Sequence, residues 1–133
     1  MRLVVDTSAL AAIRFGEPER PTFHQILLRA EVHLSIASYT EFLMVMQSRR
    51  GRAELMHADS LMNLYEIRLE PVLAEDRIIL QGAVRDFARG RRQPPAVLNF
   101  GDLFAYALAK RLGLPLLFKG QDFAMTDIDA VPG

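Results

Sequence analysis

The sequence contains no cysteine, which excludes disulfide bonds, thiolate nucleophiles and thiolate metal sites from any account of its function. It also carries no net charge, because sixteen Lys and Arg residues balance sixteen Asp and Glu residues. No global positive field therefore draws the protein onto nucleic acid, and any such binding has to depend on local patches of charge.

Long apolar runs are missing as well. The chain reaches Asp6 after three consecutive apolar residues, far short of a signal-peptide core, and no run approaches the length of a membrane span. We therefore expect a soluble protein, and the lack of cysteine is in keeping with a cytoplasmic location.

Short apolar runs alternate with stretches of helical periodicity along the chain. At 133 residues, 50% of them hydrophobic, the chain is the size of one domain, which we expect to span 1–133. The repeated strand-then-helix order predicts an α/β fold, a three-layer α/β/α sandwich with a central, mostly parallel sheet. Strands are predicted at 3–5, 32–36, 67–72 and 114–118, with room for one more before 131, and helices at 8–15, 21–29, 38–50, 53–65, 74–88 and 102–112.

Four acidic residues lie where these predicted strands end or the following helices begin. Ligands of an open parallel sheet bind beyond the carboxyl ends of its strands, so all four should share one edge. With only oxygen ligands and no nearby His or Cys, such a cluster favours Mg²⁺ or Mn²⁺ over zinc. The four residues are Asp6, Glu41, Asp102 and Asp122.

Each acid also has a structural interpretation. Asp6 and Asp102 stand where they could cap a helix or complement its dipole, and Glu41 completes a capping box with Ser38. However, carboxylates brought together raise one another's pKa, so a cluster of four is costly unless a cation neutralises it. The pattern as a whole therefore favours a metal site.

Four segments carry a resemblance to a known family. The segment at 4–10 resembles the opening D-x-S segment of PIN domains, and 35–41 is similar to their second-acid segment. The stretch at 99–109 closely resembles a helix start in the VapC branch, and 116–123 with 126–128 resembles that branch's closing segment. The sequences are VVDTSAL, SIASYTE, NFGDLFAYALA, and LLFKGQDF with TDI.

The resemblance implies a PIN-like fold and Mg²⁺- or Mn²⁺-dependent endoribonuclease activity on RNA, with the protein acting as the toxin of a toxin–antitoxin pair. It also implies a cognate VapB-like antitoxin and a homodimer. Asp6, Glu41 and Asp102 match the three firmest acids of the family. The fourth is Asp122, with Asp127 as the alternative or as an outer participant, and Ser8 matches a supporting hydroxyl residue.

Basic residues near the predicted acid edge are candidates for RNA contacts. Arg91 and Arg92 flank the Pro94–Pro95 loop and Lys119 precedes Asp122, so we predict that these three hold the RNA backbone.

There are three alternatives to this function. A receiver domain would need a phosphoacceptor Asp at the end of a middle strand, and an aspartyl phosphatase would need a second Asp where Ser8 stands. A non-catalytic PIN-like RNA-binding or scaffold module is the remaining alternative, although the full set of acids counts against it.

Overall fold

A computed structural model describes residues 1–132. Four strands and six helices follow one another in the order β-α-α-β-α-α-β-α-α-β. Three short 3₁₀ turns, at Arg52–Leu55, Ala74–Asp76 and Phe123–Met125, supplement them. The elements are β1 (Arg2–Val5), α1 (Thr7–Arg14), α2 (Arg20–Arg29), β2 (Glu31–Ser35), α3 (Ile36–Arg50), α4 (Met56–Leu64), β3 (Arg68–Glu70), α5 (Arg77–Phe87), α6 (Phe100–Leu112) and β4 (Leu116–Leu117).

The strands form one sheet in the order β3-β2-β1-β4, and every pairing is parallel. The predicted strand at 67–72 is present as β3 at the edge, where a nearby proline does not interrupt a ladder. The last predicted strand is reduced to one parallel bridge between Leu116 and Ala130. The predicted α/β class with a parallel sheet is confirmed.

Alternation along β1 distributes the core to both faces of the sheet. Leu3 and Val5 pack into one cluster with α1, α2 and α3, whereas Val4 packs into a second cluster with α5 and α6. All three side chains are fully buried. Successive side chains of a strand point to opposite faces, so these two clusters are the two interfaces of a three-layer sandwich.

The helix α3 begins earlier than predicted, and this corrects the capping box assigned to Ser38 and Glu41. Ser35, the last residue of β2, is the N-cap, and its Oγ accepts a hydrogen bond of 3.2 Å from Ala37 N. The strand passes into the helix without a loop, so Ser38 lies fully buried inside the first turn. Glu41 is therefore too far along the helix to cap it.

No helix in residues 1–132 combines the length and the apolar character needed to cross a membrane.

Candidate active site

Asp6 is the most constrained of the predicted acids. It follows β1 directly and caps α1, where its Oδ2 accepts a hydrogen bond of 3.0 Å from Ser8 N. The side chain is 2% exposed, and its other oxygen, Oδ1, is buried without a hydrogen-bond partner among the described residues. Burial raises the pKa of Asp6 to about 6, and the charge of Glu41 adds to the effect.

Asp102 is held by a reciprocal pair of hydrogen bonds at the start of α6. Its Oδ2 accepts from Asn99 N at 3.0 Å, and Asn99 Oδ1 accepts from Asp102 N at 2.9 Å. Burial raises the pKa of Asp102 to about 7, although the hydrogen bond from Asn99 opposes the shift. The negative charges of Asp6, Glu41 and Asp122 raise this pKa further, so all three other acids act on the Asp102 carboxylate.

The position of Glu41 depends on Gly101, which stands in α6 beside Asp102. A Cβ built at Gly101 would overlap the Glu41 carboxylate, so only glycine lets this side chain lie against the start of α6. Glu41 is half-buried and belongs to no cap. The structure thus places Asp6, Glu41 and Asp102 at the carboxyl end of the sheet.

The two candidates for the fourth acid have different surroundings. Asp122 acts on the pKa of Asp102, and its Oδ2 lies 3.7 Å from a guanidinium nitrogen of Arg89. Asp127 instead accepts a 2.6 Å hydrogen bond from the Tyr106 hydroxyl and pairs with Lys110 at 2.9 Å. Although partial burial raises it, these hydrogen bonds hold the pKa of Asp127 below its ordinary value. The geometry thus favours Asp122 as the acid that shares the cluster.

Ser8 links the start of α1 to the loop that follows β4. Its backbone N–H holds Asp6, and its Oγ accepts a hydrogen bond of 3.0 Å from Lys119 N, in the loop after β4. Ser8 is thus placed to orient Asp6, and the supporting role that the family resemblance implies for it stays a prediction.

The basic residues predicted to hold RNA are disposed differently from one another. Arg91 donates to three backbone carbonyls, those of residues 85, 93 and 95, and so braces its own loop. The Lys119 ammonium forms ion pairs with Glu17 and Glu19, and Arg92 is exposed. Within residues 1–132, the basic residue that forms an ion pair with one of the four predicted acids is Arg89, which pairs with Asp122. Arg89 was not among the residues predicted to contact RNA.

The donor set suits a hard divalent cation. Four carboxylates supply only oxygen, and the unpartnered Oδ1 of Asp6 is a buried polar atom that an ion would satisfy. In the positions recorded for residues 1–132, no three acidic or histidine side chains converge on a single point. Ion binding therefore requires the outer carboxylates to rotate inward, and Glu41 and Asp122 have the side-chain exposure to do so.

A parallel sheet between helical layers, with acids gathered where its strands end, defines the class to which this fold and site belong. The family description "PIN domain" matches residues 3–129. This chain belongs to the PIN-domain family.

Among curated relatives, VapC ribonuclease Mb2780c of Mycobacterium bovis is 41% identical over 128 residues, covering 95% of this chain and 96% of that protein. Ribonuclease VapC of Mycolicibacterium smegmatis is 39% identical over 130 residues, covering 97% of this chain and 99% of that protein.

Two solved structures are similar in fold. The first is VapC20 of Mycobacterium tuberculosis, described as a sarcin–ricin loop cleaving toxin. It matches with a TM-score of 0.78 and 19% identity, over 98% of this chain and 99% of that chain. The second is VapBC2 of Rickettsia felis bound to a DNA fragment from its promoter, with a TM-score of 0.71, 11% identity, and 98% of both chains covered. At these identities the likeness supports the fold alone.

Proposed function

We propose that this protein is a metal-dependent endoribonuclease that hydrolyses RNA phosphodiester bonds. The observation that carries the proposal is the buried Asp6 carboxylate, which has one unpartnered oxygen and is close enough to Glu41 and Asp102 for their charges to act on one another. A buried carboxylate oxygen without a partner destabilises the fold, and a bound cation would satisfy it. Its curated relatives, at about 40% identity over almost the whole chain, are named ribonucleases.

Asp6, Glu41 and Asp102 would hold Mg²⁺ or Mn²⁺, with Asp122 as the fourth ligand. Such an ion supplies an activated water and neutralises charge that develops on the phosphoryl oxygens. The protein's own contribution is to hold the ligands. Ser8 N fixes one oxygen of Asp6, and the capping box of α6 fixes one oxygen of Asp102, which leaves Oδ1 of each carboxylate available.

The cleavage test compares the wild-type protein with Asp6→Asn, purified in parallel, on total bacterial RNA. Asn caps a helix as well as Asp does, so the variant keeps the fold and removes the ligand charge. We expect wild-type cleavage in Mg²⁺ or Mn²⁺, none in EDTA, and recovery when Mg²⁺ is restored. Cleavage by Asp6→Asn at the wild-type rate would assign the activity to a contaminant.

Ion binding is measured independently of cleavage. An ion that binds only the folded state at ten times its dissociation constant stabilises it by about 1.4 kcal/mol. We therefore expect Mg²⁺ to raise the melting temperature of the wild-type protein and not that of Asp6→Asn. RNA binding without cleavage and without any response to Mg²⁺ would instead identify a non-catalytic RNA-binding or scaffold module.

The biological role follows from the same relatives. The protein would be a cytoplasmic toxin, neutralised by a VapB-like antitoxin encoded beside it, and would act as a homodimer, as the sequence resemblance implies. Its expression alone should arrest bacterial growth, and co-expression of the neighbouring gene should restore it. Growth arrest by Asp6→Asn equal to that by the wild type would separate the toxicity from RNA cleavage.

A further inference from the structure

A cavity of about 970 Å³ opens between α3 and the start of α6. Glu41 and Gly101 are among its lining residues, so it adjoins the acid cluster. The remaining lining is largely apolar and includes one basic residue, Arg49. Besides Glu41, the residues that define its character are Met44, Arg49, Asn99, Phe100 and Phe104.

Phe100 presents an aromatic ring to solvent at this cavity. As the first residue of α6 it is 77% exposed, and Phe104 lies against it edge-on, with 5.0 Å between ring centroids. Phe104 thus supports the ring from one side, one turn along the helix. An exposed, supported ring is the geometry on which nucleic-acid bases stack, and every base has a face that fits it.

The polar groups of the cavity suit a base and its phosphate. The Asn99 Oδ1 accepts from Asp102 N, and the NH₂ group of the same side chain makes no hydrogen bond within residues 1–132. It can therefore donate to an acceptor on a base edge. Arg49 also lines the cavity, and its guanidinium, which lies 4.6 Å from the centre of the Phe15 ring, would have to leave that ring to reach a phosphate there.

Location decides between a nucleotide and a protein segment as the occupant. A phosphodiester held at Asp6 and Asp102 lies next to the wall formed by Glu41 and Gly101. Successive bases of a strand are separated by only a few ångströms, about 3.4 Å when stacked. A base next to that phosphodiester is therefore within reach of this cavity, whereas an apolar lining by itself would suit either ligand.

We infer that the cavity binds one nucleobase of the RNA substrate, from a nucleotide adjacent to the cleaved bond, stacked on Phe100 and contacted by the Asn99 amide. The inference rests on the proposed nuclease function, since it takes RNA as the ligand of the acid cluster. It assigns to Phe100 a role in substrate binding and none in the chemical step.

The test uses binding and cleavage in parallel. Binding of short labelled oligoribonucleotides is measured by fluorescence polarisation on the uncleaving Asp6→Asn protein, with and without Phe100→Ala. The oligonucleotide spans the strongest cleavage position or, if nothing is cleaved, is the tightest binder from a mixed panel. Each position in turn is replaced by an abasic nucleotide. The control is Ile78→Ala, which removes another exposed apolar side chain, 62% accessible, from α5.

Removal of a stacking aromatic costs about 5- to 150-fold in affinity. We expect Phe100→Ala to weaken binding in this range and to raise KM with kcat nearly unchanged, whereas Phe100→Trp and Ile78→Ala should behave as the parent. One abasic position should weaken binding to the parent and should have no further effect on Phe100→Ala. This failure of additivity identifies the base that contacts the ring.

The two proposals fail in different ways. Normal cleavage and unchanged RNA affinity in Phe100→Ala would overturn the base site and leave the nuclease intact. Phe100-dependent binding of RNA that is never cleaved would support the base site and overturn the nuclease. If Phe100→Ala loses only its complex with the antitoxin, the cavity belongs to a protein partner and the inference is wrong.

Discussion

Acidic residues lie at both ends of the sheet, but their charges are neutralised at only one of them. At the amino ends of β1, β2 and β3, Glu31 lies 2.8 Å from both Arg2 and Arg68, so its charge is neutralised. At the carboxyl ends, Asp6 has an unpartnered oxygen and its pKa is raised to about 6. One end is satisfied within the protein itself, whereas the other leaves a buried carboxylate oxygen that the proposed ion would satisfy.

The largest contrast is expected between removal of charge at the two ends. Asp6→Asn should reduce RNA cleavage by more than about a hundredfold, because the loss of mere outer-shell support already costs 10- to 100-fold. Glu31→Gln should leave cleavage unchanged and cost less than about 1 kcal/mol, as expected for exposed ion pairs. Initial cleavage rates and urea unfolding curves measure both effects.

A Glu31→Gln variant with cleavage as poor as that of Asp6→Asn would remove the distinction between the two ends.

The carboxyl end can also be disturbed without removing any acid. Gly101→Ala should displace the Glu41 carboxylate, which is the flexible end of its side chain, and leave the backbone of α6 in place. We expect Mg²⁺ affinity and cleavage to fall about 10- to 100-fold, with stability within about 1 kcal/mol of the wild type. The titration of melting temperature against Mg²⁺ gives the affinity.

The matched control is Gly82→Ala in α5, where the nearest atom to the new Cβ is an Arg85 nitrogen at 3.7 Å. It should stabilise the protein by about 0.4–1 kcal/mol and leave the response to Mg²⁺ unchanged. Equal Mg²⁺ affinity in Gly101→Ala and the wild type would show that Gly101 does not position Glu41.

The pH dependence of stability should reflect the unneutralised end. The pKa values of Asp6 and Asp102 are raised from 3.8 to about 6 and about 7, so the folded protein holds protons that the unfolded chain has released. Without divalent ions, the free energy of unfolding should therefore fall as pH rises from about 4 to 7. Urea unfolding in EDTA at several pH values measures the slope.

Asp6→Asn should flatten this slope, since it removes one titrating group and lowers the pKa of Asp102. Saturating Mg²⁺ should flatten it as well, because the ion favours the ionised carboxylates. A free energy of unfolding that rises throughout this window in the absence of ions would contradict the raised pKa values.

The smallest effect is expected at Lys119. Its ammonium is paired with Glu17 and Glu19, so Lys119→Ala should change stability by less than about 1 kcal/mol and leave the KM for RNA within about twofold. Arg92→Ala, which removes an exposed basic residue that forms no ion pair within residues 1–132, is the comparison. A large rise in KM for Lys119→Ala would instead support the RNA contact predicted from the sequence.

Local patterns predicted most of the fold because each element here is dictated by its own residues. The apolar run of β1 and the glycine that follows α6 are visible in the sequence, whereas α6 begins at Phe100, two residues before its predicted start, because Asn99 is its N-cap. The predicted start of α3 was wrong because Ser35 and Ser38 are both residues that favour the N-cap position. Only the direct passage from β2 into the helix makes Ser35 the N-cap.

The candidate site divides in the same way. The rule that strand ends meet at one edge was enough to group Asp6, Glu41, Asp102 and Asp122. The contact of Gly101 with Glu41 and the pairing of Lys119 with Glu17 join residues 60 and 102 positions apart, so no local pattern reports them. Arg89 was left out of the predicted RNA contacts, although it lies in the same basic segment as Arg91 and Arg92, because no local pattern reports that its side chain reaches Asp122, 33 positions along the chain.

The central position of β1 has a consequence for the time at which the protein becomes active. Asp6 N donates to Leu117 O at 2.9 Å, and Ser8 accepts from Lys119 N, 111 positions along the chain. During synthesis the amino-terminal elements leave the ribosome first, while β4 and Asp122 are still to be made. A nascent chain in which Asp122 has not yet been made therefore lacks one of the four proposed ligands, so the proposed site can be assembled only after that residue has been added.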